Sequence, residues 1–425
     1  MTSVSDLVRT IVGGACVGLA WSSAGLVGWA FAGYPALAGA QARLRPRPVR
    51  ADDAWTPAVS VVVAAHNEAE VIIDKLTSVL AADYPPDRLE TLVVDDGSTD
   101  GTADVVETAA LPGVRLLRQH QRGGKPIAVN RGVAEATGEI VVISDASALF
   151  DVGALRNAVR LFADDEVGVV TGAIRVIDEA TGVARPAGLY WRLQQQLARW
   201  ESQTGSTVGV NGNFFAFRRD TFVPLAPDTI NDEFTIAMRQ AADGRRVVVG
   251  DGVTTYDRAA GSMSAEYARR ARITAGRFQW AASAAGGRHP LLFRLASHKL
   301  SRIAVPPAFV VLLLASAARA AAARPAGRTG IADLALLRGA GAWAWLGAQV
   351  LFWSAGAAGV ARERAGGRVP TVLRMPAYLT STTVAGLTGL QRHVMRRQTV
   401  LWTTRSEHSA PAPVPAPDAQ PVGGR

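Results

Sequence analysis

GEIVVISDASALF, residues Gly138 to Phe150, decides how this chain is read. Ile140-Val141-Val142-Ile143 is a short β-branched run without alternation, the pattern of a strand buried on both faces of a parallel sheet. It runs off its carboxyl end into Asp145. In an open α/β sheet, ligands bind in the crevice outside the carboxyl ends of the strands, so an acid at that end is well placed for chemistry. A metal-bound diphosphate is the ligand this placement implies.

Working outward, the same grammar repeats upstream. VSVVVAAHNEAEVI, from Val59, opens with a second doubly buried strand, and a helix is expected from about Glu70 to Ala82, ending before Tyr84-Pro85-Pro86. TLVVDDGSTDGT, from Thr91, is a strand that ends in two carboxylates. It leads into a helix opening near Thr99, with Ser98, Thr99 or Asp100 as its cap. VRLLRQ, from Val114, is a third strand, and RGGKPIAVNRGVAEATG, from Arg122, is a loop and helix that lead into the deciding strand. This β-α-β-α alternation predicts a doubly wound, Rossmann-like, nucleotide-binding half-domain. Glu68, Asp95, Asp96 and Asp145 all fall at or just past strand ends and are expected to converge at one rim. A bound Mg²⁺ or Mn²⁺ bridging to phosphates would relieve their mutual repulsion. Lys125, in the Gly-rich loop, is a candidate cation for those phosphates. The plain alternatives are a simple Asp96-Gly97-Ser98 turn and a solvated loop lysine.

The length of 425 residues exceeds one ordinary domain, and the formal charge of +9 fits an anionic partner. Apolar runs flanked by arginine favour the membrane over nucleic acid as that partner. A single cysteine, Cys16, excludes a disulfide framework and a cysteine zinc site. Six scattered histidines without an HExxH pattern give little weight to a histidine metal site. Ile11 to Ala40 carries no charge and at about 1.5 Å per residue outspans a hydrocarbon core of roughly 30 Å. A transmembrane helix is expected there, since the stretch is too long for a cleaved signal peptide. Arg43, Arg45, Arg47 and Arg50 then place the following domain in the cytoplasm. Ile303–Ala318 and Gly339–Ala361 are further expected spans. Met375–Gln391 is left open between a tilted span, a re-entrant piece and an interfacial helix. The segment after it, with Trp402 among basic residues, reads as interfacial, and the Pro/Ala-rich tail reads as disordered. Arg319, Arg324, Arg328 and Arg338 in the loop between the two C-terminal spans conflict with placing it outside. The expected divisions are 1–42, an N-terminal membrane helix; 43–57, a basic linker; 58–290, an α/β domain; 291–405, a membrane region of two to three spans plus an interfacial helix; and 406–425, the tail.

AHNEAE, VVDDGSTDGT and GGKPIAVNRGVAEATGEIVVISDAS, in that order, resemble membrane-anchored family 2 glycosyltransferases with the GT-A fold, the group of cellulose-, hyaluronan- and exopolysaccharide-synthase-like enzymes. The resemblance continues through ADDEVGVVTG, GVNGNFFAFRRD and INDEFTIAMRQAADGRRVV to RRARITAGRFQW, and so spans roughly Val59 to Gln279. It implies a cytoplasmic GT-A domain with a mostly parallel sheet between N- and C-terminal membrane helices. His66 and Glu68 in the opening motif, with Asp95 and Asp96, would hold the nucleoside; Lys125 and Arg270 would approach the diphosphate; Asp145 stands where the first Asp of DxD binds the metal. Ser147 occupies the place of the second Asp. A hydroxyl is a poorer ligand for a hard cation than a carboxylate, so either Asp145 works with waters and the substrate's phosphates or another acid substitutes.

NDEF aligns with the family's TED-like motif, so Glu233 matches the general base and Asp232 the acid before it. From the residues alone, adjacent acids read equally well as first-turn helix decoration, and neither is preferred as base. RRARI stands where related synthases carry QxxRW, with Arg269 for the Gln and Ile273 for the Trp; Trp280 is nearby. Arg272 is expected to stabilise the departing nucleoside diphosphate, whereas Arg269 reads equally as an interface anchor. Tyr190–Gln203 is expected as an amphipathic helix with Trp191 and Trp200, a core stripe by preference, otherwise lying at the membrane interface or lining an acceptor path.

The activity implied is inverting transfer from a nucleotide sugar, a UDP-sugar by preference, to a growing glycan or lipid-linked acceptor at the plasma membrane. Membrane lipids and a homo-oligomer are the further partners, and no nucleic acid is expected. The alternative is a non-catalytic GT-A module that binds nucleotide sugar or partners in a secretion complex.

Overall fold

The unalternating runs become the parallel half of one nine-stranded sheet. The structure, a computed structural model, describes residues 4–177, 184–185, 189–258, 263–283, 289–322, 335, 337–398 and 401. Arg324, Arg328, Trp402 and the C-terminal tail lie outside the described residues. In chain order the first elements are β1 Val59–Ala65, α3 Ile72–Leu80, β2 Leu89–Asp95, α4 Thr102–Ala109, β3 Val114–Arg118, α5 Lys125–Glu135 and β4 Ile140–Asp145. They follow two N-terminal helices, α1 Val4–Gly28 and α2 Tyr34–Leu44. Next come β5 Leu149–Phe150, α6 Ala154–Val159, β6 Val167–Ile177, β7 Ala184–Arg185, α7 Leu189–Gln203, β8 Phe215–Arg218, α8 Asp232–Ala242, β9 Arg246–Arg258 and α9 Met263–Ser283.

The strand order is β3-β2-β1-β4-β8-β6-β9-β5, with β7 on β6. β1 pairs in parallel with both β2 and β4, and β2 with β3, which is the Rossmann-like half. β8 then enters antiparallel between β4 and β6. Every residue of β1 is buried because it has a core on each side: Val61 and Val63 pack into one cluster, Val62 and Ala64 into the other. Fully burying such a side chain stabilises by about 1.5–3 kcal/mol, which is why a run with no polar face folds as a central strand. Register sets the site: Ala65 lies opposite Asp95 and Ala64 opposite Asp145, so those acids emerge at one edge of the sheet.

Two helix starts differ from expectation. α3 begins at Ile72, two residues late, because Glu68 to Val71 form a turn whose Val71 and Ile72 N–H groups donate to the Glu68 carbonyl. α4 begins at Thr102 because Gly101, at φ +85°, turns the chain left-handed just before it, and Asp100 accepts the Thr102 N–H at 3.0 Å.

The C-terminal part folds as helices: α10 Ser301–Ala322, preceded by a π-helical turn at Leu295–Leu300, α11 Gly339–Arg364 and α12 Thr371–Val394. Among the described residues, three helices are long and apolar enough to cross a membrane: Val12–Leu44, Leu292–Ala322 and Gly339–Arg364. α12, which includes the stretch left open above, packs against both α11 and α9. The helical bundle therefore touches the α/β domain through the arginine-bearing helix.

A buried polar knot makes the second attachment. Glu201 on α7, 1% exposed, accepts the Tyr34 hydroxyl at 2.6 Å and the Thr207 hydroxyl at 2.9 Å, and stands 3.0 Å from His298 Nδ1. Burial pushes the Glu201 carboxyl up, but His298 and the hydrogen bonds outweigh it and hold the group below the ordinary glutamate range. Glu201→Leu removes a partner from four buried polar groups at once, the Val208 N–H among them. We expect a loss of about 3–5 kcal/mol, read as a lowered melting temperature in detergent, with Glu201→Gln milder.

Candidate active site

α5 begins at Lys125, whose ammonium reaches across the ends of β4 and α8. Lys125 Nζ lies 2.7 Å from Asp145 Oδ1 and 3.4 Å from Asp232 Oδ2. Burial works against this ammonium, but Asp145, Asp232 and Glu233 outweigh it and hold its pKa above the ordinary lysine value. The first turn of α8 supplies the two acids side by side, after Asn231, whose Nδ2 donates to the Ile273 carbonyl at 3.0 Å and ties α8 to α9. Asp232 is 3% exposed. Burial raises its carboxyl, yet Lys125, a hydrogen bond from Glu233 and Arg272 bring its pKa below the usual aspartate value. Glu233 moves the other way: burial first, then the Asp232 carboxylate beside it, push it above the usual glutamate value. Of the two, Glu233 faces the cavity.

That cavity, about 310 Å³, runs from Lys125 and Asp145 past Glu233 to α7, α9 and α12. Arg269, Arg270 and Arg272 line it. Arg270 donates to Thr382 Oγ1 at 2.7 Å and lies 4.8 Å over the Tyr378 ring, while Arg272 donates to the Ile230 carbonyl at 3.3 Å, just ahead of the acids. Trp280 lies away from the cavity lining and packs edge-on to Phe234, ring centres 5.2 Å apart. Of the two α7 tryptophans, Trp191 lines the cavity, whereas Trp200 packs with Tyr34, Ala38 and Leu197. The amphipathic helix is thus wall on one side and core on the other.

The four nucleoside-side residues sit at the same sheet edge but outside this cavity's lining. Asp96, fully buried, accepts the Gly123 N–H at 2.7 Å and the Gly124 N–H at 2.9 Å, one on each carboxylate oxygen. Burial still leaves its pKa above the usual aspartate value. It anchors the Gly-rich loop that carries Lys125. Asp95 accepts the Ser98 N–H at 3.3 Å, and His66 Nδ1 meets the Asp96 carbonyl at 2.9 Å. Glu68 offers its backbone N–H to Thr102 Oγ1 at 2.8 Å. Asp145 and Glu233 share the cavity with Lys125, while Asp95 and Asp96 stand at the same sheet edge outside its lining.

Several residues of the site carried no assigned role in the motifs. Lys75 occupies a core position of α3, with Ile72, Leu76 and Val79 on the same face. Its Nζ donates to Ser144 Oγ at 2.7 Å and to the Ala148 carbonyl at 2.6 Å, directly beneath the Asp145 loop. Burial pulls its pKa down, and the charges of Asp145 and Asp257 oppose that. A lysine on an otherwise apolar helix stripe was the visible signal. Gly212 had none: a Cβ there would stand 3.3 Å from Lys125 Nζ and 3.4 Å from Asp145 Oδ2. Gly212→Ala should therefore displace the pair and cut turnover by roughly tenfold or more, with the melting temperature little changed.

Residues 60–223 match the family model described as Glycosyl transferase family 2. The chain is 34% identical over 179 residues to "Probable glycosyltransferase YdaM" of Bacillus subtilis, covering 40% of this chain and 42% of that one. It is 30% identical over 203 residues to "Beta-monoglucosyldiacylglycerol synthase" of Synechocystis, covering 45% and 42%. The chain thus spans less than half the length of these curated relatives. Among solved structures, the mannosyltransferase PcManGT from Pyrobaculum calidifontis, in complex with GDP-Man and Mn²⁺, superposes with a TM-score of 0.68 at 26% identity, covering 89% of this chain and 100% of that one. The fold is GT-A.

Proposed function

We propose that this chain, which carries a family 2 glycosyltransferase domain, transfers a sugar from a nucleotide-sugar donor with inversion, to a glycan or lipid-linked acceptor, from a cytoplasmic domain spanning about residues 58–290. The observation that carries the reading is Glu233: a carboxyl of raised pKa, beside the ionised Asp232, lining the same cavity as the Lys125–Asp145 pair. In a single displacement the acceptor hydroxyl must lose its proton as it attacks the anomeric carbon, and a desolvated carboxylate is suited to take it. Asp232 stays ionised and orients Glu233. Arg272, Arg270 and Lys125 face the side from which the diphosphate departs, where fixed positive charge offsets the charge that builds on the leaving oxygen.

A divalent cation fits the residues present. Asp145, its side chain 41% exposed, supplies a hard oxygen ligand. Asp232 Oδ2 is buried and accepts no hydrogen bond, with the Lys125 ammonium 3.4 Å away as its ion-pair partner. Among the described residues no three acidic, histidine or cysteine side chains form a closed metal cage. Mg²⁺ and Mn²⁺ are commonly held by one or two carboxylates with substrate phosphates and waters, so an open site of this kind suffices. When bound, such an ion would neutralise the diphosphate.

UDP-sugars are the first donors to try. GDP-mannose is the second reading, favoured by the likeness along most of the chain to a mannosyltransferase solved with GDP-Man. Membranes carrying the chain, incubated with single labelled nucleotide sugars, should yield one labelled product of inverted anomeric configuration by NMR. Nucleotide binding without turnover across the donor panel would support the non-catalytic module instead.

A further inference from the structure

We infer that Asp257 is the second carboxylate of the divalent-cation site, filling the role that Ser147 cannot. This rests on the proposed function, which supplies the cation and the diphosphate. The sheet brings the residue there. β5 and β9 pair antiparallel, Leu149 opposite Tyr256 and Phe150 opposite Thr255, so Asp257 follows directly at the level of the Asp145–Ala148 loop. Ser147 Oγ donates to Asp257 Oδ1 at 3.4 Å, and Asn213 Nδ2 donates to Asp257 Oδ2 at 3.2 Å. The carboxylate absent from position 147 in sequence is therefore restored in space, from a strand 110 residues away.

Its surroundings tie it to the loop that follows Asp145. The Asn213 carbonyl accepts the Ser144 hydroxyl at 2.6 Å, and Ser144 in turn accepts Lys75 Nζ. One buried chain of hydrogen bonds thus joins the loop that carries Asp145, the Gly212-Asn213 turn and the side chain that steadies Asp257. Lys75 Nζ, 3.6 Å from the Phe150 ring centre, closes the floor beneath that loop. Two carboxylates plus phosphate oxygens and waters are a donor set for Mg²⁺ or Mn²⁺, and both acids are hard oxygen ligands.

The test is Mn²⁺ binding by the purified full chain in detergent, followed by loss of the free-ion signal in electron paramagnetic resonance, with UDP and with GDP present in turn. Asp257→Asn should weaken Mn²⁺ binding by roughly tenfold or more, since even an outer-shell partner of a metal is worth about 10–100-fold. Nucleotide affinity measured without metal should stay unchanged, which separates ligand loss from misfolding. Ser147→Asp, in the Asp257→Asn background, should recover most of the affinity, and in the native background should raise it. Unchanged Mn²⁺ affinity in Asp257→Asn overturns the assignment. So does a native chain that binds no Mn²⁺ with either nucleotide; transfer that persists in EDTA would then leave the proposed function standing. Mn²⁺ binding that depends on Asp257 without any sugar transfer supports the site and sinks the function instead.

Discussion

Glu233→Gln abolishes sugar transfer and leaves nucleotide binding intact: this is the largest effect we expect. The amide keeps the shape of the side chain but cannot accept a proton from the acceptor hydroxyl. Losing a general base typically costs about 10²–10⁴-fold in rate. Asp232→Asn should be milder, because its carboxylate acts through Glu233. If Asp232→Asn proves the more damaging of the two in kcat, the base is Asp232. The pH profile gives an independent reading. Burial and the Asp232 charge raise the Glu233 pKa, and a base works only once deprotonated, so turnover should climb with pH through a value above the ordinary glutamate pKa of about 4.3. An acidic limb at or below that ordinary value would count against Glu233.

Lys125→Met should be next in size, and it should show twice. Nucleotide affinity, titrated with UDP and with GDP, should drop by about 10–100-fold, the worth of roughly 1.5–3 kcal/mol for a charge-assisted contact. The second sign is electrostatic. Lys125 stands 2.7 Å from Asp145 and 3.4 Å from Asp232, and it holds down the pKa of Glu233. With methionine there, the three acids face one another uncompensated, so the acidic limb of residual turnover should move to higher pH. Lys125→Arg keeps the charge and should keep the limb in place even where affinity suffers. A limb that does not move in Lys125→Met would show that the lysine is remote from the reacting acids. Asp145→Ala should remove metal-stimulated nucleotide binding, seen as equal affinity with and without Mn²⁺.

The local grammar was legible because each piece of it obeys short-range physics. Val61 to Ala64 and Ile140 to Ile143 have no polar face, and only a strand covered on both sides accommodates that. The adjacent acids at Asp232 and Glu233 sit where acids favour a helix start, so their position was readable, but not the division of labour between them. The proposed division rests on placement in the fold: Asp232 turns toward Lys125, and Glu233 lines the cavity. The helices start at Thr102 and Ile72, two or three residues later than expected, because a left-handed glycine and a local turn precede them. Asp96, expected on the nucleoside side, also accepts one N–H of the Gly-rich loop on each oxygen. Two loops that come close only in the folded chain set that contact, and no spacing rule reports it.

From its residues alone the chain determined its parallel half-sheet, its apolar helices and the order of its motifs, since buried strands and long apolar runs are written in consecutive side chains. Only the tertiary structure decided that Lys125 lies between Asp145 and Asp232, and that α7 is wall on one face and core on the other. It also brought Asp257 to Ser147 from a strand 110 residues away. The reason is physical: charge pairing and burial depend on distance in space, and the strand register that sets those distances is fixed by packing on both faces of the sheet at once.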